Sequence, residues 1–70
     1  MKKICHNSIA TIYENDNNWI VENDEQEKRI ISKDEEPLFP LAAVIKWGMF
    51  ADDIETLDKL RELAMREKED

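Results

Sequence analysis

Two short groups of side chains carry the residue types that catalysis or metal binding would need. Cys5 and His6 are adjacent and could form a nucleophile pair or bind a metal ion. Consecutive residues of a strand point to opposite faces of a sheet, however, so Cys5 and His6 cannot readily act on the same atom. A structural zinc site also needs four ligands, whereas the sequence contains one cysteine and one histidine. The sequence therefore predicts strand residues here and no metal site.

The second group is a set of carboxylates near residue 52, and it has a structural explanation. Asp52, Asp53 and Glu55 could bind magnesium or act in acid–base catalysis. Asp52 followed three residues later by Glu55 is also the pattern of a capping box, which satisfies backbone N–H groups at the start of a helix. A glycine-rich phosphate loop is excluded, because Gly48 is the only glycine. We predict a non-enzymatic protein with no catalytic residues, no metal and no cofactor.

Two further motifs are present only in outline. Segments 15–18 and 23–27 are rich in possible calcium ligands but lack the glycine of an EF-hand loop, so we predict solvated turns. Segment 41–60 has the outline of a helix-turn-helix, but four acidic residues precede the first basic residue of its second helix. The net charge of −7 also opposes contact with phosphates, so we predict no direct binding to nucleic acid.

The acidic residues are concentrated in segment 14–27, which contains six acids and no base. One interpretation is a solvated pair of loops whose charges prevent aggregation through the sheet edge. The other is a surface that presents carboxylates to a basic partner and steers its approach. The predicted partner-binding acids are Glu14, Asp16, Glu22, Asp24, Glu25 and Glu27.

Segment 38–51 is the main apolar part of the chain, with Lys46 as its only charged residue. Pro40 is suited to a first helical turn and Gly48 to the position just after a helix, which predicts a helix over 40–47. A helix that is apolar around most of its circumference is normally buried on most sides. A chain of this size has limited capacity to do so alone, which suggests a covering partner. The predicted apolar interface residues are Trp19, Val44, Trp47, Met49 and Phe50, with Trp19 alternatively in the core.

The remaining segments predict the elements that would position these groups. Segments 4–13, 19–22 and 28–32 are β-prone runs separated by short polar loops, typical of an antiparallel meander. Apolar residues from Ile54 to Leu63 recur at helical spacing, which predicts a second helix beginning at an Asp52 cap. The predicted fold is α+β, a three-stranded meander followed by two helices on one face of the sheet (β-β-β-α-α). We expect a single domain over 1–70, with the meander at 3–36 and the helical part at 37–70.

These features predict a small acidic binding protein that inhibits a larger complex by docking on its basic, nucleic-acid-handling surface. In size and composition the chain resembles the small acidic proteins that phages encode to block restriction or CRISPR complexes. An alternative is a homodimeric regulatory or adaptor module, similar to an antitoxin, that uses its apolar helix surface. An enzyme would need a pocket that two short helices and three strands rarely provide.

The expected location is the cytoplasm. A single cysteine fits a reducing compartment, and Lys2 and Lys3 are not followed by the apolar region of a signal peptide. No apolar run is long enough to span a bilayer, so we expect no membrane association. The expected partners are a protein with a basic surface and a second copy of the chain.

Overall fold

The computed structural model describes residues 1–68. It is α+β, as predicted, but the prediction of a three-stranded meander is wrong. The sheet has five antiparallel strands in the order β4-β3-β2-β1-β5. The elements in chain order are β1 (Lys2–His6), β2 (Ala10–Glu14), β3 (Asn18–Asn23), β4 (Lys28–Ser32), α1 (Phe39–Trp47), β5 (Phe50–Ala51) and α2 (Ile54–Lys68).

The first difference is that segment 4–13 contains a tight turn rather than one strand. Asn7 makes this turn: its Oδ1 accepts hydrogen bonds from the backbone N–H groups of Ile9 and Ala10, both at 2.8 Å. The Asn7 N–H also donates to the Ala10 carbonyl at 2.9 Å. Asparagine favours such turns because its side chain can replace a backbone acceptor.

The second difference is β5, which lies within the part expected to be helical. Phe50 pairs with His6 and Ala51 pairs with Cys5, in antiparallel orientation. Two residues are too few for strand propensity to be visible in the sequence, so this strand exists because the chain between the helices passes beside β1. Of the expected helical part 37–70, residues 69–70 lie outside the described residues.

A β-bulge in β1 places two consecutive side chains in the core. The pairing of β1 with β2 shifts register between Lys3 and Cys5. Ile4 and Cys5 are both fully buried, although neighbours on a regular strand would face opposite sides. His6, by contrast, is exposed, so the expectation that Cys5 and His6 face different surroundings is confirmed.

The hydrophobic core lies between one face of the sheet and the two helices. It is formed by Ile4, Cys5, Ile12, Trp19, Ala43, Met49, Leu57 and Leu60. The opposite side of the sheet, which we call the open face, carries the cross-strand row Tyr13, Ile20 and Ile30. These side chains alternate with those of the core strand residues and point away from the helices.

Helix α1 begins and ends close to the predicted bounds. Pro40 lies in its first turn, and Gly48 follows it with a φ of 67° in the left-handed region, as predicted for a helix-ending glycine. Within residues 1–68, neither helix combines the length and apolar character that crossing a membrane requires.

Candidate partner-binding surfaces

The carboxylates of the junction between β5 and α2, residues 52–53, bind groups within the fold. Asp53, not Asp52, caps α2: its Oδ1 accepts the Thr56 backbone N–H at 3.2 Å, and its Oδ2 accepts the Thr56 hydroxyl. The Lys2 ammonium lies 2.6 Å from Asp53 Oδ2. Asp52 instead lies 2.8 Å from His6 Nδ1. The predicted cap at Asp52 is therefore wrong by one residue, and both carboxylates serve the structure.

Protonation at this junction opposes a catalytic role. Hydrogen bonds from Lys2 and Thr56 lower the pKa of Asp53 to about 2, so this carboxyl is ionised at neutral pH and is a poor general acid. Burial raises the pKa of the Cys5 thiol to about 11, and the nearby Asp52 and Asp53 charges add to that effect. A buried thiol that stays protonated at neutral pH is a poor nucleophile.

The six predicted partner-binding acids do not form one surface. Consecutive hairpins of a meander turn at opposite ends of the sheet, so Asp16 in the β2–β3 turn lies at one end. Asp24, Glu25 and Glu27, in or beside the β3–β4 turn, lie at the other. The six residues of β3 between these turns span about 20 Å at the usual rise per residue.

Two of the six acids are already paired with lysines. The Lys33 ammonium lies 3.0 Å from Glu14 Oε2 and also 4.6 Å from the centre of the Trp19 ring. The Lys28 ammonium lies 3.7 Å from Glu22 Oε2, so this pair is looser. Pairing reduces the net charge that Glu14 and Glu22 present to a partner.

The β3–β4 turn, residues 24–27, presents three of the other four acids, and we call it the acidic turn. Asn23 Oδ1 accepts the backbone N–H groups of Glu25 and Glu27, both at 3.0 Å. Asn23 N–H donates to the Glu27 carbonyl at 3.1 Å, and Gln26 N–H donates to the Asn23 carbonyl at 3.0 Å. Gln26 adopts a left-handed φ of 64° to close the turn. Asp24, Glu25 and Glu27 are exposed, and none forms an ion pair with residues 1–66, while Glu27 Oε2 accepts a hydrogen bond from the Asn23 side-chain amide at 3.2 Å.

The predicted apolar interface residues are also separated. Trp19 is 4% exposed and donates its indole N–H to the Glu36 carbonyl at 2.7 Å, so it belongs to the core. Met49 is also buried, and Val44 packs partly buried against the core. Trp47 is 47% exposed at the end of α1, while Phe50 is 73% exposed. Phe50 pairs with His6 and lies on the open face, so it does not share a surface with Trp47.

A groove between β4 and α1 is a surface that the sequence did not indicate. Its volume is about 530 Å³, and Phe39 and Trp47 line one side of it. Their rings make an edge-on contact, with centroids 5.8 Å apart. The groove also contains a cation from each element, Arg29 and Lys46, and two acids from the connection between them, Glu35 and Glu36. It could be found only from the tertiary structure, because it depends on how α1 lies beside β4.

The acids that follow β4 are a second group that sequence reasoning omitted. Asp34, Glu35 and Glu36 are exposed. Lys33 N–H donates to the Asn17 carbonyl at 3.0 Å, which places these acids at the same end of the sheet as the β2–β3 turn. The consecutive acids are visible in the sequence, but their position at that end depends on the hairpin order.

Comparisons with known proteins found no relative: no protein-family model, curated protein or solved structure matches the chain. The candidate surfaces are therefore ranked by their own geometry. The acidic turn ranks first, because it holds three of the six predicted acids, hydrogen bonds to Asn23 order its backbone, and its carboxylates make no ion pair within residues 1–66.

Proposed function

We propose that this chain is a small non-enzymatic inhibitor that docks its acidic turn on a basic, nucleic-acid-handling surface of a larger complex. The single observation that supports this most is the acidic turn itself, with three exposed carboxylates on an ordered backbone. The proposed mode of action is that of phage-encoded proteins that block restriction or CRISPR complexes. The proposed location is the cytoplasm, which agrees with a buried free thiol at Cys5.

Three physical effects favour docking through this turn. A net charge of −7 attracts a basic partner over distance and raises the rate of encounter. A turn already ordered by hydrogen bonds loses less conformational entropy on binding than a mobile loop does. Arginine and lysine residues that bind phosphate oxygens also bind carboxylate oxygens, because both are anionic acceptors.

The alternative expected from the sequence, a homodimeric module with an apolar helix surface, has less support. Two of its predicted contact residues, Trp19 and Met49, are buried in the core. Trp47 and Phe50 are exposed but lie on different sides of the molecule. No single apolar surface remains that contains all of the predicted residues.

The decisive experiment compares two double charge reversals in affinity capture and in measured affinity for the purified partner. Asp24→Lys with Glu25→Lys alters the acidic turn. Asp58→Lys with Glu62→Lys is the matched control, because it makes the same charge change at two exposed residues of α2, outside both the acidic turn and β4. Each double variant replaces two negative charges by two positive charges, so the net charge falls equally in magnitude.

We expect the turn variant to bind the partner at least tenfold more weakly, in the range typical of interface hot spots, and the control to bind nearly as the wild type does. Binding of the wild type should weaken steeply with salt, as for other charge-driven associations. Equal losses in both variants would indicate attraction to net charge alone. Unchanged binding in the turn variant would exclude docking through the acidic turn.

A further inference from the structure

Strand β4 is an edge of the sheet, and hydrogen bonds at its two ends show which backbone groups face β3. Asn23 N–H donates to the Glu27 carbonyl just before β4, at 3.1 Å. Lys33 N–H donates to the Asn17 carbonyl just after it, at 3.0 Å. Inward and outward backbone groups alternate along an antiparallel strand, so the odd-numbered residues of β4 bond to β3.

The even-numbered residues Lys28, Ile30 and Ser32 therefore direct their N–H and C=O groups away from the sheet. The Ser32 carbonyl accepts the Glu36 N–H at 3.0 Å, which covers that end of the edge. Among residues 1–68, no hydrogen bond from outside the ladder reaches the backbone of Lys28 or Ile30. Ile30 lies at the centre of this free edge with a side chain that is 69% exposed.

The opposite edge of the sheet does not offer a comparable strand. β5 contains two residues and is followed at once by the capped start of α2. Short edge strands of this kind limit pairing with another chain, whereas a five-residue strand with an exposed apolar centre favours it.

We propose that two copies of this chain pair through their β4 strands, in antiparallel orientation, with Ile30 of one copy opposite Ile30 of the second copy. The two Ile30 residues then exchange N–H···O=C hydrogen bonds across a twofold axis. Lys28 lies opposite Ser32 of the second copy on each side of that axis. This inference does not depend on docking through the acidic turn.

Charge selects this register over its neighbours. With Ile30 at the axis, Arg29 lies opposite Ile31 of the second copy and Glu27 lies opposite Lys33 of the second copy. A shift in one direction places Arg29 opposite its own equivalent, and a shift in the other places Arg29 opposite Lys33 of the second copy. Like charges directly opposite one another destabilise a strand pair, so of these three registers only the Ile30-centred one avoids them.

The same register continues an apolar row across the open face. Within one copy, Tyr13, Ile20 and Ile30 are cross-strand neighbours. Pairing at Ile30 joins this row to its equivalent in the second copy and covers the most exposed member. The result is one continuous sheet made from two five-stranded sheets.

Sedimentation equilibrium tests the proposal with paired charge variants at the axis. The strand contact is small, so we expect a wild-type dimer with a dissociation constant in the micromolar range. Salt near 0.15 M, where the Debye length is about 8 Å, reduces the long-range repulsion between two acidic copies while leaving charges directly opposite one another at the axis less screened. Ile30→Lys and Ile30→Glu should each be monomeric, because each places like charges opposite one another. An equimolar mixture of the two should form a heterodimer, because the charges are then opposite.

The matched controls are Ile45→Lys and Ile45→Glu, which alter an isoleucine that is 78% exposed on α1. They should dimerise as the wild type does. A wild type that stays monomeric at about 1 mM, the concentration at which even millimolar affinity would show, would overturn the proposal. Dimers that persist in either Ile30 variant, or folded variants that fail to associate when mixed, would do the same.

Two further measurements locate the contact independently of charge. Ile30→Pro removes an outward N–H that the monomer does not use, so the variant should fold but dimerise about 30-fold more weakly, since two hydrogen bonds of about 1 kcal/mol are lost.

A nitroxide on Ile30→Cys should show dipolar broadening, since hydrogen-bonded antiparallel pairs have Cα atoms about 5.5 Å apart. Cys5 is buried and should not take the label. An unbroadened spectrum in a dimer, or undiminished dimerisation of Ile30→Pro, would contradict pairing at Ile30.

Discussion

The carboxylates of the β5–α2 junction and those of the acidic turn differ in what surrounds them. At the junction, Asp53 binds Lys2 and the start of α2, and Asp52 binds His6. At the acidic turn, hydrogen bonds to Asn23 also order the backbone, but Asp24 and Glu25 form no ion pair within residues 1–66. The same side-chain chemistry is therefore used within the fold at one place and presented to solvent at the other.

The difference follows from where the basic residues lie in the folded chain. The antiparallel pairing of β1 with β5 brings Lys2, Lys3 and His6 beside the start of α2. The acidic turn is separated from β1 by two strands of the sheet. Lys28, which lies just after this turn, pairs with Glu22 and not with a carboxylate of the turn. The junction carboxylates should therefore contribute to stability, whereas those of the turn should contribute little, which leaves them available for a partner.

Of the changes that test this difference, removing the Asp53 side chain should have the largest effect on the free energy of unfolding. Asp53→Ala should lower the free energy of unfolding by about 1–2 kcal/mol, the usual cost of losing an N-cap. Asp53→Asn should cost less, because asparagine retains the capping oxygen. Urea denaturation followed by tryptophan fluorescence measures both. Asp52→Ala is the matched control, and a loss there as large as that of Asp53→Ala would show that the ion pairs, rather than the cap, stabilise the junction.

A smaller effect is expected in the dependence of stability on pH. The folded-state pKa of Asp53 is about 2, below its usual 3.8, so its ionised form stabilises the fold above pH 4. This contribution should be lost as the pH falls from about 4 to 2, since the carboxyl becomes protonated in that range. The difference in urea midpoint between wild type and Asp53→Asn should therefore shrink between pH 5 and pH 2. A difference that stays constant over this range would contradict the assignment.

The parts of the fold that the sequence predicted are those set by local chemistry. Pro40 and Gly48 determine the start and end of α1 through the backbone angles that these residues adopt. The turn at Asn7 was also encoded locally, but Ile4 and Ile9 on either side of the short polar segment 6–8 concealed it within a β-prone run. The cap of α2 was displaced by one residue, because Asp52 and Asp53 are equally suitable caps until His6 engages the first of them.

The parts that the sequence could not predict depend on contacts between distant segments. β5 exists only because residues 50–51 lie beside β1, and no local signal marks a strand of two residues. The division of the six acids between two ends of the sheet depends on the number of hairpins and not on their spacing in the chain. Trp19 could be assigned to the core only once its indole N–H was seen to bond to the Glu36 carbonyl.

The smallest expected effect on stability concerns the acidic turn, and it is the most informative about function. Asp24→Asn and Glu25→Gln remove charge from side chains that form no ion pair within residues 1–66, so each should change the free energy of unfolding by less than about 0.5 kcal/mol. Any change should be stabilising, because neutralisation reduces repulsion among neighbouring carboxylates.

Asn23→Ala is the contrasting variant, since it removes the acceptor of two backbone N–H groups and should destabilise the turn by about 1 kcal/mol or more. Urea denaturation of all three variants makes the comparison. If neutralising Asp24 or Glu25 cost as much as removing Asn23, these carboxylates would stabilise the fold as Asp53 does, and their exposure would no longer indicate a partner.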